Sequence, residues 1–431
     1  MKTSQPKSMS RRPPRPVRVP PPLTRGSERF EGSSVLSEFE GDFGILLWQS
    51  LRNVLLWSTT ETAKRKNLFS PGSEERRRVK LLSTEVEDSL RAPLAVIARL
   101  LADPSGADRR RVTTSCQRIA EWAEERGALA TALAFTQAAA LTSSGDARLS
   151  YAVGRLARQR AEYPRAETWY RRAILLGRQS GDWESYALAF AGLGNLYMQR
   201  GSLPSAHKAH VRAYRAARRK GLRGVQGMAL HDLLLIAVKR NEVREAEELA
   251  ASALKAYGPK HRNLPALAND VTLFWMDQGY YAPALVVLEA LLPHFPRANG
   301  EMVVHGNIAT AAAGLQDRER FDRAWQRGWE LVSAPESQEH TATVSLTLAQ
   351  AAVMLEEWER ASTAAERALQ VATLRQEAGV AASAQELLDA LRERTAVPAV
   401  EVPAAEPWMA DHAGTLATTF ARSLNAGLAV Q

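Results

Sequence analysis

Cysteine is almost absent from this chain: 431 residues contain one, Cys116, beside eight histidines. A single thiol closes no internal disulfide, and no His/Cys group has metal-ligand spacing, so a stapled secreted fold and a zinc finger are both excluded. No run of 18 apolar residues occurs, and the stretch from Met1 to Leu23 has no apolar segment. Neither a membrane-spanning helix nor a secretory signal is therefore expected. Catalytic signatures are missing as well. Gly192-x-Gly194 lies inside a helical segment, lacks a third glycine and follows no strand, and no GxxxxGKS/T, HExxH, CxxC or GxSxG pattern occurs. The expectation is a non-enzymatic protein without cofactor or metal, in a reducing, cytoplasmic setting. The spacing of His207 and His210 would suit a metal, but a structural role is expected for His210.

What is present is ordinary globular material, 45% apolar and 24% charged, enough for a sizeable core. The formal charge of +9 is unevenly spread. Residues 1–30 hold eight Lys/Arg and one acid, leaving 48 Lys/Arg against 46 Asp/Glu in residues 31–431. The basicity belongs to an arm. Seven prolines between Pro6 and Pro22 forbid helix and sheet there. Residues 1–34 are expected to be a disordered basic arm, and two roles stay open for it: a solubilising linker, or nonspecific attraction to nucleic acid, an anionic surface or an acidic protein.

From about Arg111 apolar residues recur at helical spacing, Gly or Asn breaks fall every 15 to 20 residues, and no alternating strand appears. The helices repeat. An anchor alanine recurs at Ala132, Ala166, Ala206, Ala246, Ala284, Ala324 and Ala361, at spacings of 34 to 40. Three residues before each stands an apolar residue: Leu129, Tyr163, Leu203, Val243, Tyr281, Phe321 and Trp358. At this apolar content seven such hits by chance would occur about 0.4% of the time. The physical reason is local: two antiparallel helices need a small residue where their backbones come closest and a bulky one to fill the turn.

The segment Phe190-x-x-Leu193-Gly194-x-x-Tyr197, followed by Ala206 after the turn, resembles the tetratricopeptide repeat, with Phe190 where that family usually has Trp. Leu234 and Thr272 stand where Gly194 stands. The resemblance covers residues 111–377 and implies an all-α, right-handed superhelical solenoid of about seven antiparallel helix pairs. The period near 40 implies helices longer than the family's usual ones, like those of bacterial signalling sensors and scaffolds. The turns Ser144-Gly145-Asp146 and Ser180-Gly181-Asp182 each offer a left-handed stop and an N-cap.

The resemblance also implies that the first helix of each pair lines a concave groove that binds a protein or peptide. The residues facing it would be Tyr151, Arg155, Arg158, Asn195, Gln199, His231, Asp232, Asn269 and Asp270. The recurrence of His231-Asp232 and Asn269-Asp270 at 38 residues suggests a polar ladder, which either binds a partner or ties repeats together. An interaction scaffold is the expected function. The alternative is a bacterial regulatory sensor whose repeats bind a peptide or effector and whose arm contacts nucleic acid or an effector protein. A small-molecule substrate is not expected.

The flanks complete the organisation. Residues 35–110 are expected to form a helical cap region, in which Leu47, Trp48, Leu51, Val54 and Leu55 share one face of a helix over 42–57. That helix either covers the first repeat or meets a membrane surface or partner. Residues 378–394 should cap the last repeat. A Pro/Ala linker and a short amphipathic segment fill 395–431, where Leu416, Phe420 and Leu424 either dock back or recruit a partner. On the second helix of the third pair, the run Lys208 to Arg223 holds seven Lys/Arg and no acid, a solvated outer face or an anion contact.

Overall fold

The computed structural model describes residues 33–295, 297–334, 339–393 and 407–428, and all regular structure there is helical. The basic arm and most of the Pro/Ala linker lie outside these residues. Ser33 and Ser34, expected in the arm, instead open a helix. Two compact units divide the chain, residues 1–225 and 226–431.

In the first unit α1 (Ser33–Glu38), α2 (Gly41–Thr59), α3 (Ser73–Ser83) and α4 (Asp88–Arg99) precede three helix pairs. These are α5 (Arg109–Glu125) with α6 (Leu129–Thr142), α7 (Ala147–Gln159) with α8 (Tyr163–Ser180), and α9 (Trp183–Gln199) with α10 (Leu203–Lys220). Helix α2 buries Leu46, Leu47, Leu51, Val54 and Leu55 and packs against α4 and α6, so it covers the first pair. Arg65, from the basic run beside it, is buried too, with its guanidinium 4.5 Å from the centre of the Trp57 ring. The reason α1 begins so early is visible at its far end. Helix α6 has no side-chain cap of its own, and Glu38 supplies one, accepting from Ala130 N at 2.8 Å and Thr131 N at 2.7 Å. A carboxylate at that positive helix end is favourable.

The second unit continues with α11 (Arg223–Lys239), which begins at the boundary, and α12 (Val243–Tyr257). Then follow α13 (Leu264–Asp277) with α14 (Tyr281–Leu291), α15 (Ala298–Gly314) with α16 (Arg318–Val332), and α17 (Thr341–Met354) with α18 (Trp358–Leu374). Helices α19 (Ala378–Glu393) and α20 (Pro407–Leu428) close it.

One turn joins the two helices of every described pair. Gly127, Ala161, Gly201, Asn241, Gly279, Gln316 and Glu356 all have positive φ, and the following N–H reaches back five residues, as in Ser202 N to Tyr197 O at 2.8 Å. This is the Schellman closure, which satisfies the last carbonyls of the first helix. It also corrects one anchor. In six pairs the second helix starts two residues after the left-handed residue and the anchor lies three further on. In the sixth, Gln316 and the start of α16 at Arg318 place Phe321, not Ala324, at the anchor. Gly145 is a second correction: it is not left-handed, because Asp146 N closes the turn onto Ser143 O at 3.0 Å, while Asp146 still caps α7.

The degenerate Gly194 position has a volume explanation. Gly194 makes room for the buried His210 ring, and Gly154 for Tyr170 at the same register one pair earlier; a Cβ on either glycine would collide with the ring. In the fourth pair the sizes are exchanged: Leu234 stands at the glycine position and Ala250 at the ring position, both fully buried.

Helix α20 docks within the second unit, along α14 and against α12 and α13. It buries Met409, Ala413, Ala417, Phe420 and Leu424. Helix α19 lies against α18.

Candidate functional site

The expected binding residues fall into two sets, one in each unit, at repeated register. Tyr151, His231 and Asn269 each lie fifteen residues before their anchor, Asp232 and Asp270 fourteen before, and Arg155 and Asn195 eleven before. Positions fifteen and eleven are four apart, one turn along the same helix face.

In the first unit Arg155 of α7 makes a two-pronged ion pair with Glu124 of α5, at 2.5 and 2.7 Å. Its hydrogen bonds hold the Glu124 carboxyl below its ordinary range and raise the guanidinium of Arg155 in return. Tyr151 lies half-buried with its ring 6.0 Å from Tyr170. Burial pushes the Tyr170 phenol up to about 12, against the pull of Arg158. Asn195 is half-buried and Gln199 exposed on α9, and neither amide is engaged with another side chain among the described residues.

In the second unit the polar pairs do form a ladder. His231 Nε2 meets Asp270 Oδ2 at 2.8 Å, and Asn307 Nδ2 donates to Asn269 Oδ1 at 3.2 Å. Each rung joins position fifteen of one pair to position fourteen of the next, once Phe321 is taken as the sixth anchor. Asn307 was hidden by that register slip. Tyr257 packs edge-on to His231 at 6.4 Å and stacks on His261 at 4.3 Å. Burial raises the Tyr257 phenol, with Asp232 and Asp270 adding to the effect, and lowers His261. Sequence reasoning also missed Leu235 and Leu273, which occupy the Asn195 register; Leu273 is 39% exposed. The register itself is the signal that would have found them.

The first helices offer amide donors and acceptors in the first unit and an exposed leucine in the second. Among the described residues no three His, Cys, Asp or Glu side chains are placed to hold a metal ion. His210 is fully buried, and its ring is pushed down to about 3 by burial and by His207. Burial likewise pushes the Cys116 thiol up to about 12. No described helix is long and apolar enough to cross a membrane.

No family model and no curated protein matches the sequence. Solved structures do match. A signal-transduction ATPase with numerous domains and a tetratricopeptide repeat sensor, from Pyrococcus horikoshii, is 12% identical across 92% of this chain and 64% of its own, with a TM-score of 0.51. A tetratricopeptide repeat protein from Parabacteroides merdae is 15% identical across 65% of this chain and 98% of its own, at 0.43. PilF of Pseudomonas aeruginosa is 15% identical across 58% and 98%, at 0.42. At these identities the likeness is one of fold. With seven described pairs closed by the same turn, the chain has the fold of a tetratricopeptide-type helical repeat.

Proposed function

We propose that the chain is a non-catalytic scaffold that binds a protein or peptide partner on the faces presented by the first helices of its units. In the first unit the contacts are Tyr151, Arg155, Arg158, Asn195 and Gln199, and in the second His231, Asp232, Asn269 and Asp270. The observation that carries this reading is the unspent hydrogen-bonding capacity of Asn195 and Gln199, one turn apart on α9 of the first unit; in the second unit Leu273, at the register of Asn195, is exposed on α13. Amide groups and exposed leucine on rigid helices are suited to a polypeptide, with little ordering cost on the scaffold side. The charge within each unit also favours a polypeptide over nucleic acid. Arg155 is neutralised by Glu124, and Asp232 and Asp270 would repel phosphates.

The test is affinity capture of the tagged full chain from its native cells at low and high salt, with mass spectrometry of what is retained. A stoichiometric protein that survives high salt and is lost from the Asn195→Ala/Gln199→Ala variant or from the Leu273→Asp variant, each with helical circular dichroism matching wild type, is the expected result. Undiminished capture by both variants would move the binding site off the first helices of both units.

A further inference from the structure

The outer side of the second unit shows what a groove between consecutive second helices can hold. There α20 lies between α12 and α14, across α13, with Trp408 under Arg244, Phe420 edge-on to Trp275 and the Leu424 carbonyl 3.2 Å from His294 Nε2. At its centre Glu247 accepts from Trp275 Nε1 at 2.8 Å and meets His412 Nδ1 at 3.0 Å.

The first unit has the register-equivalent groove, between α8 and α10 across α9. Glu167 and Glu247 each follow their anchor by one residue, and Tyr197 and Trp275 each precede theirs by nine. The same bond links them, since the Tyr197 hydroxyl donates to Glu167 Oε1 at 3.0 Å. No helix among the described residues covers this groove. Its floor is apolar, including Ile174, Leu193 and Ala209, and Leu175 on its wall is 51% exposed. Its rim carries Lys208 and Arg212, and Arg171, which is paired with a partly exposed carboxylate there, Glu167, at 2.6 Å. The rim continues the exposed positive run of α10 through Arg215, Arg218, Arg219 and Lys220.

We propose that this groove docks an amphipathic helix of a partner protein, one whose apolar stripe is spaced like that of α20 and is flanked by acidic residues. The shape follows from α20, and the charge from the rim. The chain's own segments do not fit. Residues 1–30 carry eight Lys/Arg against one acid, so the rim repels them, and α20 is already seated elsewhere with a single acid, Asp411. This surface is walled by the second helices, with α9 as its floor, and does not include Asn195 or Gln199 of the contacts proposed above.

The probe is a fluorescein-labelled peptide of residues 408–428 in which Thr415, Thr418 and Thr419, all exposed on α20, are replaced by Glu. Its anisotropy is measured against the full chain at about 50 mM salt, where surface charge is weakly screened. The expected result is saturable binding in the micromolar range, weakened at least about tenfold by Lys208→Glu/Arg212→Glu and separately by Leu175→Asp, and at least about tenfold weaker for the peptide without the Glu substitutions. All three positions are exposed, and circular dichroism checks that the variants fold. Absence of binding at about 100 µM, equal affinity for the unsubstituted peptide, or affinity unchanged by the variants would each overturn the proposal. The last outcome would mean that the peptide had displaced α20 instead.

Discussion

Glu167 and Glu247 occupy one register position in two different pairs, each holds an aromatic donor from the next first helix, and they differ in exposure: 20% for the first side chain and 1% for the second. The difference is α20. In the second unit a helix from the chain's end covers the glutamate and supplies His412 as its second partner. In the first the equivalent groove is open, and Arg171 from the same helix takes that place at 2.6 Å. One repeat skeleton therefore supports two kinds of surface, a closed one that depends on a distant segment and an open one edged with cations. A buried carboxylate needs partners, because an ionised group left unpaired away from water costs several kcal/mol. The seated helix α20 both buries Glu247 and supplies, in His412, a partner that offsets that burial.

The largest effect should come from loosening that seat. Phe420→Ala removes a fully buried ring against Trp275 and should destabilise the second unit by about 3–5 kcal/mol. Denaturant unfolding followed by tryptophan fluorescence reads it, with a red shift as Trp275 meets water. A midpoint equal to wild type would show that the groove over α13 does not depend on its helix. Next in size, Glu247→Ala strands the Trp275 N–H and should cost about 2–3 kcal/mol. Glu167→Ala, at the solvated counterpart, should cost under about 1 kcal/mol. Equal losses would erase the distinction between the grooves.

Acid should separate the units in a different way. His210 sits fully buried and neutral against Gly194, whereas Ala250 holds that register in the fourth pair. Its folded pKa of about 3 lies below the unfolded value. The stability it allows is therefore complete above about pH 6.5 and is lost as pH falls, because the unfolded chain takes the proton first. Relative to a His210→Phe variant, wild type should lose about 2 kcal/mol between pH 6.5 and 5. Parallel pH profiles for the two proteins would place the acid sensitivity elsewhere.

The repeat was legible because six of the seven described pairs put a fully buried alanine at the same crossing, and that demand recurs regardless of what the surface does. The same signal misled at α16. Ala324 is small and one turn beyond Phe321, so composition alone could not fix the register; only the left-handed Gln316 does. Leu234 read as a departure from the family pattern because pair-wise volume is conserved across two helices, and a single position shows only half of it. The ladder was legible as recurring polar pairs, but its direction was not, since rungs join different register positions in neighbouring pairs. Least legible was Glu247. Within Val243–Tyr257 it looks like any surface glutamate, and the helix that buries it lies 165 residues further along the chain.

The smallest effects concern the turns, and they too differ between units. Of the Schellman turns inside the described helix pairs, two of the three in the first unit carry glycine, at Gly127 and Gly201, against one of the four in the second, at Gly279. Ala161, Asn241, Gln316 and Glu356 hold φ between 57 and 59°. An L-residue there meets a steric cost of about 1–2 kcal/mol that glycine avoids, while glycine loses more chain entropy on folding, and asparagine tolerates the region best. The net gain from Gln316→Gly or Glu356→Gly should thus be about 0.5–1 kcal/mol each, with little or none at Asn241→Gly. Glu356→Gly carries the cleaner test, because the Gln316 amide also bonds to the Met354 carbonyl and its loss would offset part of the gain. A rise in the second unit's unfolding midpoint for Glu356→Gly, with none for Asn241→Gly, is expected. A fall for Glu356→Gly would mean that its side chain holds the turn more firmly than the backbone strain opposes it.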